Sequence, residues 1–179
     1  MTMEHRAFAF DFEAFVDELA NPLLSALASG DIESLVKFIE LNLAELKDPY
    51  EGNSLDASWR EMIEFADAHQ YGDFALTKFY DPANDIGLGT GWAVIEDLLN
   101  ATIDHGEVII LGKPFGPTSN YFDPGKLGSY FQSAGDVRAH LKLIEELIQR
   151  RPELAVKLDD TAKMFTKPVQ RGKGLYITF

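Results

Sequence analysis

Apolar residues in the first third of the chain recur at the spacing of α-helices. Between 12 and 19 they return every three or four residues, and between 32 and 46 they form one continuous stripe with charged residues facing away. Asn21, which a proline follows, is typical of a helix start, and Gly30 is typical of a helix end. These positions predict a cluster of helices in the N-terminal part of the chain.

Further helices are predicted from the same periodicity and from capping residues. One lies around Trp59, where Ser58 and Glu61 have the spacing of a capping box. In the last quarter of the chain, Asp136 is expected to cap a helix, and Pro152 is expected to end that helix and to open another. The C-terminal part is therefore predicted to contain two helices.

Short runs of strand-forming residues predict a sheet. Residues 74–80, 107–111 and 175–179 are rich in β-branched and aromatic side chains, and turn residues bound them. The alternation at 7–10 fits either an edge strand or a continuation of the first helix. Together these elements predict a helix-rich α+β fold. We expect a single domain over 1–179 whose N-terminal helical cluster packs on a small, mainly antiparallel sheet, with two C-terminal helices and a final strand.

The charge of the chain narrows the kinds of partner that it can have. It carries 29 acidic and 16 basic residues, a formal net charge of −13, and no cysteine. We do not expect nucleic-acid binding, because that depends on Lys and Arg neutralising phosphates. No apolar run reaches the roughly 18 residues of a membrane span, and no signal peptide is recognisable. The expectation is a cytoplasmic protein without membrane contact, whose partner is a basic protein; the oligomeric state stays open.

A glycine-rich segment precedes a predicted helix in the middle of the chain. Asp85 is followed by Gly87, Gly89 and Gly91 in strict alternation, and this pattern resembles the first motif of S-adenosylmethionine-dependent methyltransferases. The resemblance implies a loop whose glycines let the backbone approach a cofactor. In that family a parallel strand precedes the loop, whereas residues 81–84 here have the composition of a turn. We therefore assign no cofactor.

The same loop is the candidate ligand site in a second interpretation. Backbone N–H groups at the helix start are able to hold a small anion, and Asp81, Asp85 and the aromatic residues of 114–131 would help to shape the pocket. Other catalytic patterns are missing from the sequence. The four histidines lack the spacing of metal ligands, and no serine lies in a nucleophile elbow. We assign no metal site and no catalytic residue.

Residues 114–131 combine aromatic side chains with glycines and prolines. Phe115, Tyr121, Phe122 and Tyr130 would present rigid rings on a constrained backbone, which is typical of interaction surfaces. The alternative is that these rings pack inward and hold the loop to the core. Both possibilities remain open at the level of sequence.

Two functions are compatible with these features. The first is a non-enzymatic interaction protein, of the inhibitor or immunity-protein kind, that covers a basic partner with its acidic half and the aromatic loop. The second is a small-molecule-binding protein or an enzyme, methyltransferase-like in kind, that uses the loop from Gly87 to Gly91. The absence of catalytic patterns favours the first.

Overall fold

Helices dominate the fold, which a computed structural model describes for residues 3–179. Within those residues the chain forms eight α-helices and a small three-stranded antiparallel sheet, so the predicted helix-rich α+β class is confirmed. The helices are α1 Phe12–Glu18, α2 Ala20–Ser29, α3 Glu33–Asn42, α4 Ala68–Leu76, α5 Trp92–Asn100, α6 Gly106–Ile110, α7 Ala134–Arg150 and α8 Ala155–Gln170. The strands are β1 Arg6–Phe10, β2 Ser129–Gln132 and β3 Gly174–Thr178, and short 3₁₀ helices lie at Leu43–Glu45, Trp59–Met62 and Pro152–Leu154. None of the helices in the described residues is both long and apolar enough to cross a membrane.

The described residues divide into two compact units. Unit 1 consists of residues 3–12, Asp85–Lys113 and Tyr130–Phe179, and unit 2 consists of Glu13–Asn84 and Pro114–Ser129. Each unit is therefore built from segments that are not consecutive in the chain. That the whole chain is one domain stays a prediction.

The sheet has the strand order β1-β3-β2. Strands β1 and β3 are antiparallel, and Arg6 lies opposite Thr178 while Phe10 lies opposite Gly174. The alternation at 7–10 thus forms an edge strand, one of the two possibilities that the sequence left open. Gly174 is required in this register, because a β-carbon there would collide with the carbonyl oxygen of Gln132.

In unit 1, the helices α7 and α8 pack on each other and cover the sheet. Their buried stripes contain Val137, Ile144, Leu158 and Phe165, and these side chains share one core with Leu175 of β3. The apolar side chains that have helical spacing in the last quarter of the chain therefore form the main core of this unit. Burial of such side chains stabilises the fold by about 1.5–3 kcal/mol each.

Two of the three predicted strands are wrong. Residues 74–80 contain the end of α4 and a turn, and residues 107–110 lie in α6. In α4 all residues from Gln70 to Leu76 are buried, so the helix has no exposed polar face to mark a helical period. A short, fully buried apolar run is compatible with either a helix or a strand, and only its packing decides between them.

The helix caps also differ in part from the prediction. The N-cap of α7 is Ser133, whose hydroxyl accepts a hydrogen bond from the Asp136 N–H at 3.1 Å, while the Asp136 carboxylate accepts from the Ser133 N–H at 3.0 Å. Asp136 is therefore the N3 member of a capping box and not the cap itself. The predicted box at Ser58 does not form, because the segment from Trp59 makes only a 3₁₀ helix without a side-chain cap.

We expect Ser133→Ala to destabilise the protein by about 1 kcal/mol, because it leaves the first-turn N–H of α7 without its partner. Ser58→Ala is the matched control, and it should change the free energy of unfolding by less than about half of that. Urea denaturation of both variants measures the difference. Equal losses in the two variants would contradict the assignment of the capping box to Ser133.

Candidate functional site

In unit 1 the glycine loop runs alongside β1. The Ile86 N–H donates to the carbonyl of Ala7 at 2.8 Å, and His5 and Gly89 exchange two backbone hydrogen bonds of 3.0 Å. A β-carbon on Gly87 would collide with the carbonyl of His5 and would lie 2.7 Å from the Ala7 nitrogen. The absence of a side chain at Gly87 therefore lets the loop lie close to the backbone of residues 5–7.

The predicted ligand residues divide between the two units. Asp85 lies in unit 1, where it pairs with Arg6 at 3.2 Å and accepts a hydrogen bond from the Gly87 N–H at 2.8 Å. Asp81 lies in unit 2, where it pairs with Lys47 at 2.8 Å, and that hydrogen bond lowers the pKa of the Asp81 carboxyl. Both carboxylates are thus used to hold neighbouring segments of their own units.

The other two predicted ligand positions differ in their backbone. Gly89 has φ of +58°, a left-handed conformation that favours glycine, and a β-carbon there would meet nothing within 4 Å. Gly91 precedes α5 with φ of −78°, which any residue adopts. An open depression of about 280 Å³ borders this loop, lined by 86–88 and by side chains of α8. The role of these glycines in ligand binding stays a prediction.

His5 is a buried residue of unit 1 that holds the glycine loop, and no sequence motif indicates this role. Its Nδ1 accepts a hydrogen bond from the Leu88 N–H at 3.2 Å, and its Nε2 lies 2.9 Å from the carbonyl oxygen of Ile110. This pattern requires the neutral ring protonated on Nε2. Burial accordingly lowers the pKa of His5.

Three of the four predicted aromatic rings in residues 114–131 pack against other rings of the same unit. In unit 2, Phe122 is fully buried and stacks on His69, and Phe115 packs edge-on against Phe15 with ring centres 5.2 Å apart. Tyr121 is 40% exposed. In unit 1, Tyr130 packs edge-on against Phe179. The inward-packing alternative thus describes Phe122, and an interface role for the four residues stays a prediction.

Unit 2 contains a cavity of about 490 Å³ with an exposed apolar rim. Three of its lining side chains are large and unusually exposed, namely Tyr50 at 64%, Phe65 at 59% and Met62 at 40%. The remaining lining residues are Glu64, Asp67, His69, Gln70, Phe74, Asp123, Pro124 and Lys126. A concave site that gathers exposed apolar residues beside several polar groups is the usual form of a binding site.

A buried carboxylate lies behind the rim of this cavity. Asp73 on α4 is 6% exposed, and it accepts a hydrogen bond from the hydroxyl of Tyr50. Burial raises the pKa of Asp73 to about 7, against the opposing effect of that hydrogen bond, and the nearby Asp48 raises it further. Burial and the fields of Asp73, Asp48 and Glu64 raise the pKa of Tyr50 to about 12. A buried carboxyl with a raised pKa beside a cavity is typical of a functional site, because its ionisation costs folding free energy.

A turn that His69 holds in place forms another part of the cavity lining. The Asp123 N–H donates to Nδ1 of His69 at 3.1 Å, and the Asp123 carboxylate accepts from the Gly128 N–H at 3.1 Å. This turn carries Lys126, whose ammonium lies 5.4 Å from the centre of the Phe65 ring. The backbone of Lys126 has φ of +59°, a conformation that costs energy for a residue with a side chain.

The chain matches no family model, no curated protein and no solved structure. Among residues 3–179 no group of three or more His, Asp or Glu side chains is arranged to hold a metal ion. The cavity of unit 2 offers instead an apolar rim, aromatic faces and carboxylates, which suits binding of a group that is both apolar and charged.

The residues of this site belong to segments without a strong period, so their pattern predicts no site. Tyr50, Met62 and Phe65 lie between α3 and α4, in a stretch dominated by turns. Large apolar side chains in an otherwise polar, irregular segment were the available signal. Their convergence on one cavity depends on the fold of unit 2.

Proposed function

We propose that this protein binds a basic polypeptide through unit 2, as a non-enzymatic interaction protein of the inhibitor or immunity-protein kind. The segregation of charge carries the proposal. Unit 2 contains 16 acidic and 5 basic residues, a formal charge of −11, whereas unit 1 contains 13 acidic and 11 basic residues, a charge of −2. Such a field attracts cations and repels nucleic acid.

The exposed apolar rim supplies the second component of an interface. Charge complementarity chiefly accelerates association and selects the partner, whereas buried aromatic and aliphatic contacts provide most of the binding free energy. Tyr50, Met62 and Phe65 provide such contacts within the acidic unit itself. The proposal places the complex in the cytoplasm, since the absence of cysteine suits a reducing compartment.

The test is selection of peptides from a random display library on the immobilised protein at about 50 mM salt. We expect basic peptides with at least one apolar anchor, whose affinity falls at least about tenfold when salt is raised to about 300 mM. The triple variant Glu51→Gln, Glu61→Gln, Glu64→Gln removes three exposed acids of unit 2. It should weaken the selected peptides by about tenfold.

The control makes the same change of charge in unit 1. Asp104→Asn, Glu145→Gln and Asp160→Asn also remove three exposed acids, and we expect them to weaken the peptides by no more than about twofold. Selection of neutral peptides, or equal losses in the two triple variants, would contradict the proposal.

The alternative, a small-molecule binder or methyltransferase-like enzyme that uses the loop from Gly87 to Gly91, has less support. The glycine with the tightest surroundings, Gly87, packs on the backbone of β1, and Asp85 is paired with Arg6. The depression of about 280 Å³ beside the loop is the feature that keeps this alternative testable.

A further inference from the structure

Resting on the proposed function, we infer that the cavity of unit 2 receives the cationic side chain of an arginine or lysine from the basic partner, and that Lys126 occupies that position in the free protein. The partner must therefore present a positively charged side chain to this cavity.

The aromatic rim of the cavity already holds a cation. The ammonium of Lys126 lies over the face of Phe65, within the distance at which the ring quadrupole attracts a positive charge. Tyr50 and Phe74 add two more aromatic side chains to the same lining. Arginine and lysine side chains suit such a site, because their apolar stems cover aromatic surface while their charged ends remain near carboxylates.

Carboxylates on several segments favour a cation in this cavity. Glu64, Asp67 and Asp123 are all part of the lining. Burial, and after it the nearby carboxylates, raise the pKa of the Tyr50 hydroxyl. A positive side chain would therefore be drawn in, and a neutral isostere would lack this attraction.

Lys126 is held in place by a turn and not by deep packing. The Lys126 N–H donates to the Asp123 carbonyl at 3.3 Å, and the residue is exposed apart from its contact with Phe65. Its left-handed φ makes this local arrangement less stable than an ordinary turn. A competing cation is thus able to displace the side chain without disturbing the core. The cavity of about 490 Å³ is large enough for that exchange.

The first experiment uses a cation and its neutral isostere. Nα-acetyl-arginine methylamide and the corresponding citrulline compound are titrated into the full chain, and the Met62 methyl signal is followed by NMR. We expect a saturable shift with the arginine compound and at least about fivefold weaker binding of the citrulline compound. Equal binding of the two compounds would overturn the inference.

Two variants test the assigned positions. Lys126→Gln should tighten the binding of the arginine compound about threefold, because it removes the competing cation. Lys37→Gln makes the same change of charge at an exposed position of unit 2 that does not line the cavity, and it should have little effect. Phe65→Leu keeps an apolar side chain but removes the aromatic face, and it should weaken binding about threefold. An equal effect of Lys126→Gln and Lys37→Gln would overturn the role of Lys126.

A last step connects the cavity to the partner. Each arginine of a selected basic peptide is replaced in turn by citrulline, and the loss of affinity is compared between the natural protein and Phe65→Leu. One position should show a large loss that shrinks in Phe65→Leu. Salt-dependent peptides without such a position would overturn this inference and leave the proposed function standing. Failure to select basic peptides at all would refute the proposed function, whatever the arginine compound does.

Discussion

Gly87→Ala is expected to destabilise the protein by more than about 3 kcal/mol, one of the largest effects available from a single methyl group. The added carbon would meet the carbonyl of His5 and the backbone of Ala7, and neither can move without breaking the hydrogen bonds between the loop and β1. For a chain of this size such a loss lowers the midpoint of thermal unfolding by roughly 6–12 °C, which calorimetry measures.

Gly91→Ala is the matched control for this prediction. A β-carbon on Gly91 would make only an ordinary contact of 3.6 Å with the Leu88 carbonyl, and the backbone there suits any residue. We expect a change of less than about 1 kcal/mol, of either sign. A mild effect of Gly87→Ala, similar to that of Gly91→Ala, would mean that the loop does not pack on β1 as described.

Asp73→Asn is expected to stabilise the protein at pH 8 by about 2 kcal/mol, although it alters a fully buried residue. The folded pKa of Asp73 is about 7, raised chiefly by burial from its ordinary value of 3.8. Its carboxyl therefore stabilises the folded state fully only below the unfolded pKa, and that contribution is lost as pH rises through about 7. A shift of this size corresponds to at most roughly 4 kcal/mol, and asparagine keeps an oxygen to accept the Tyr50 hydrogen bond.

The measurement is urea denaturation of the natural protein and of Asp73→Asn between about pH 4 and pH 8. The stability gain of the variant should be small at the acid end and should grow toward pH 8. Asp56→Asn serves as the control, because Asp56 is exposed and hydrogen bonds from Ser58 lower its pKa. A stability gain that is independent of pH would show that the pKa of Asp73 is not raised in the folded protein.

The elements that could be predicted from the sequence are those whose local pattern and tertiary environment agree. Helix α3 and the pair α7 and α8 each bury one face and expose the other, so their period is visible in the residues alone. Gly30 was correctly placed at the end of α2, since its φ of +78° is a conformation that glycine adopts without strain. These elements needed no knowledge of their neighbours.

The predictions that were wrong concern elements that are buried on all sides or too short to show a period. Helix α4 is enclosed in unit 2, where Gly72 allows the side chains of Leu23 and Phe122 to approach its backbone closely. Helix α6 begins where Gly106 packs against the backbone at Leu99. In both cases packing, and not the preference of the residues for strand, determined the conformation.

The residues of the candidate site also depend on tertiary packing and not on a local pattern. The sequence pointed to glycines and aromatic residues because of their local spacing, and the structure uses Gly87 and Phe122 for packing. The cavity of unit 2 instead joins Tyr50, Phe65 and Lys126, which are far apart in the chain. No local pattern can predict a site whose members meet only after the segment 114–129 returns to residues 13–84.

By itself, the sequence determined the helix-rich α+β class, the long amphipathic helices, the final strand and the strongly acidic character, because each depends on composition or on a repeating local pattern. Only the tertiary structure decided the helical state of α4 and α6, the pairing of β1 with β3, the raised pKa of Asp73 and the position of the cavity. These depend on which residues exclude water from one another, and that is a property of contacts between distant parts of the chain.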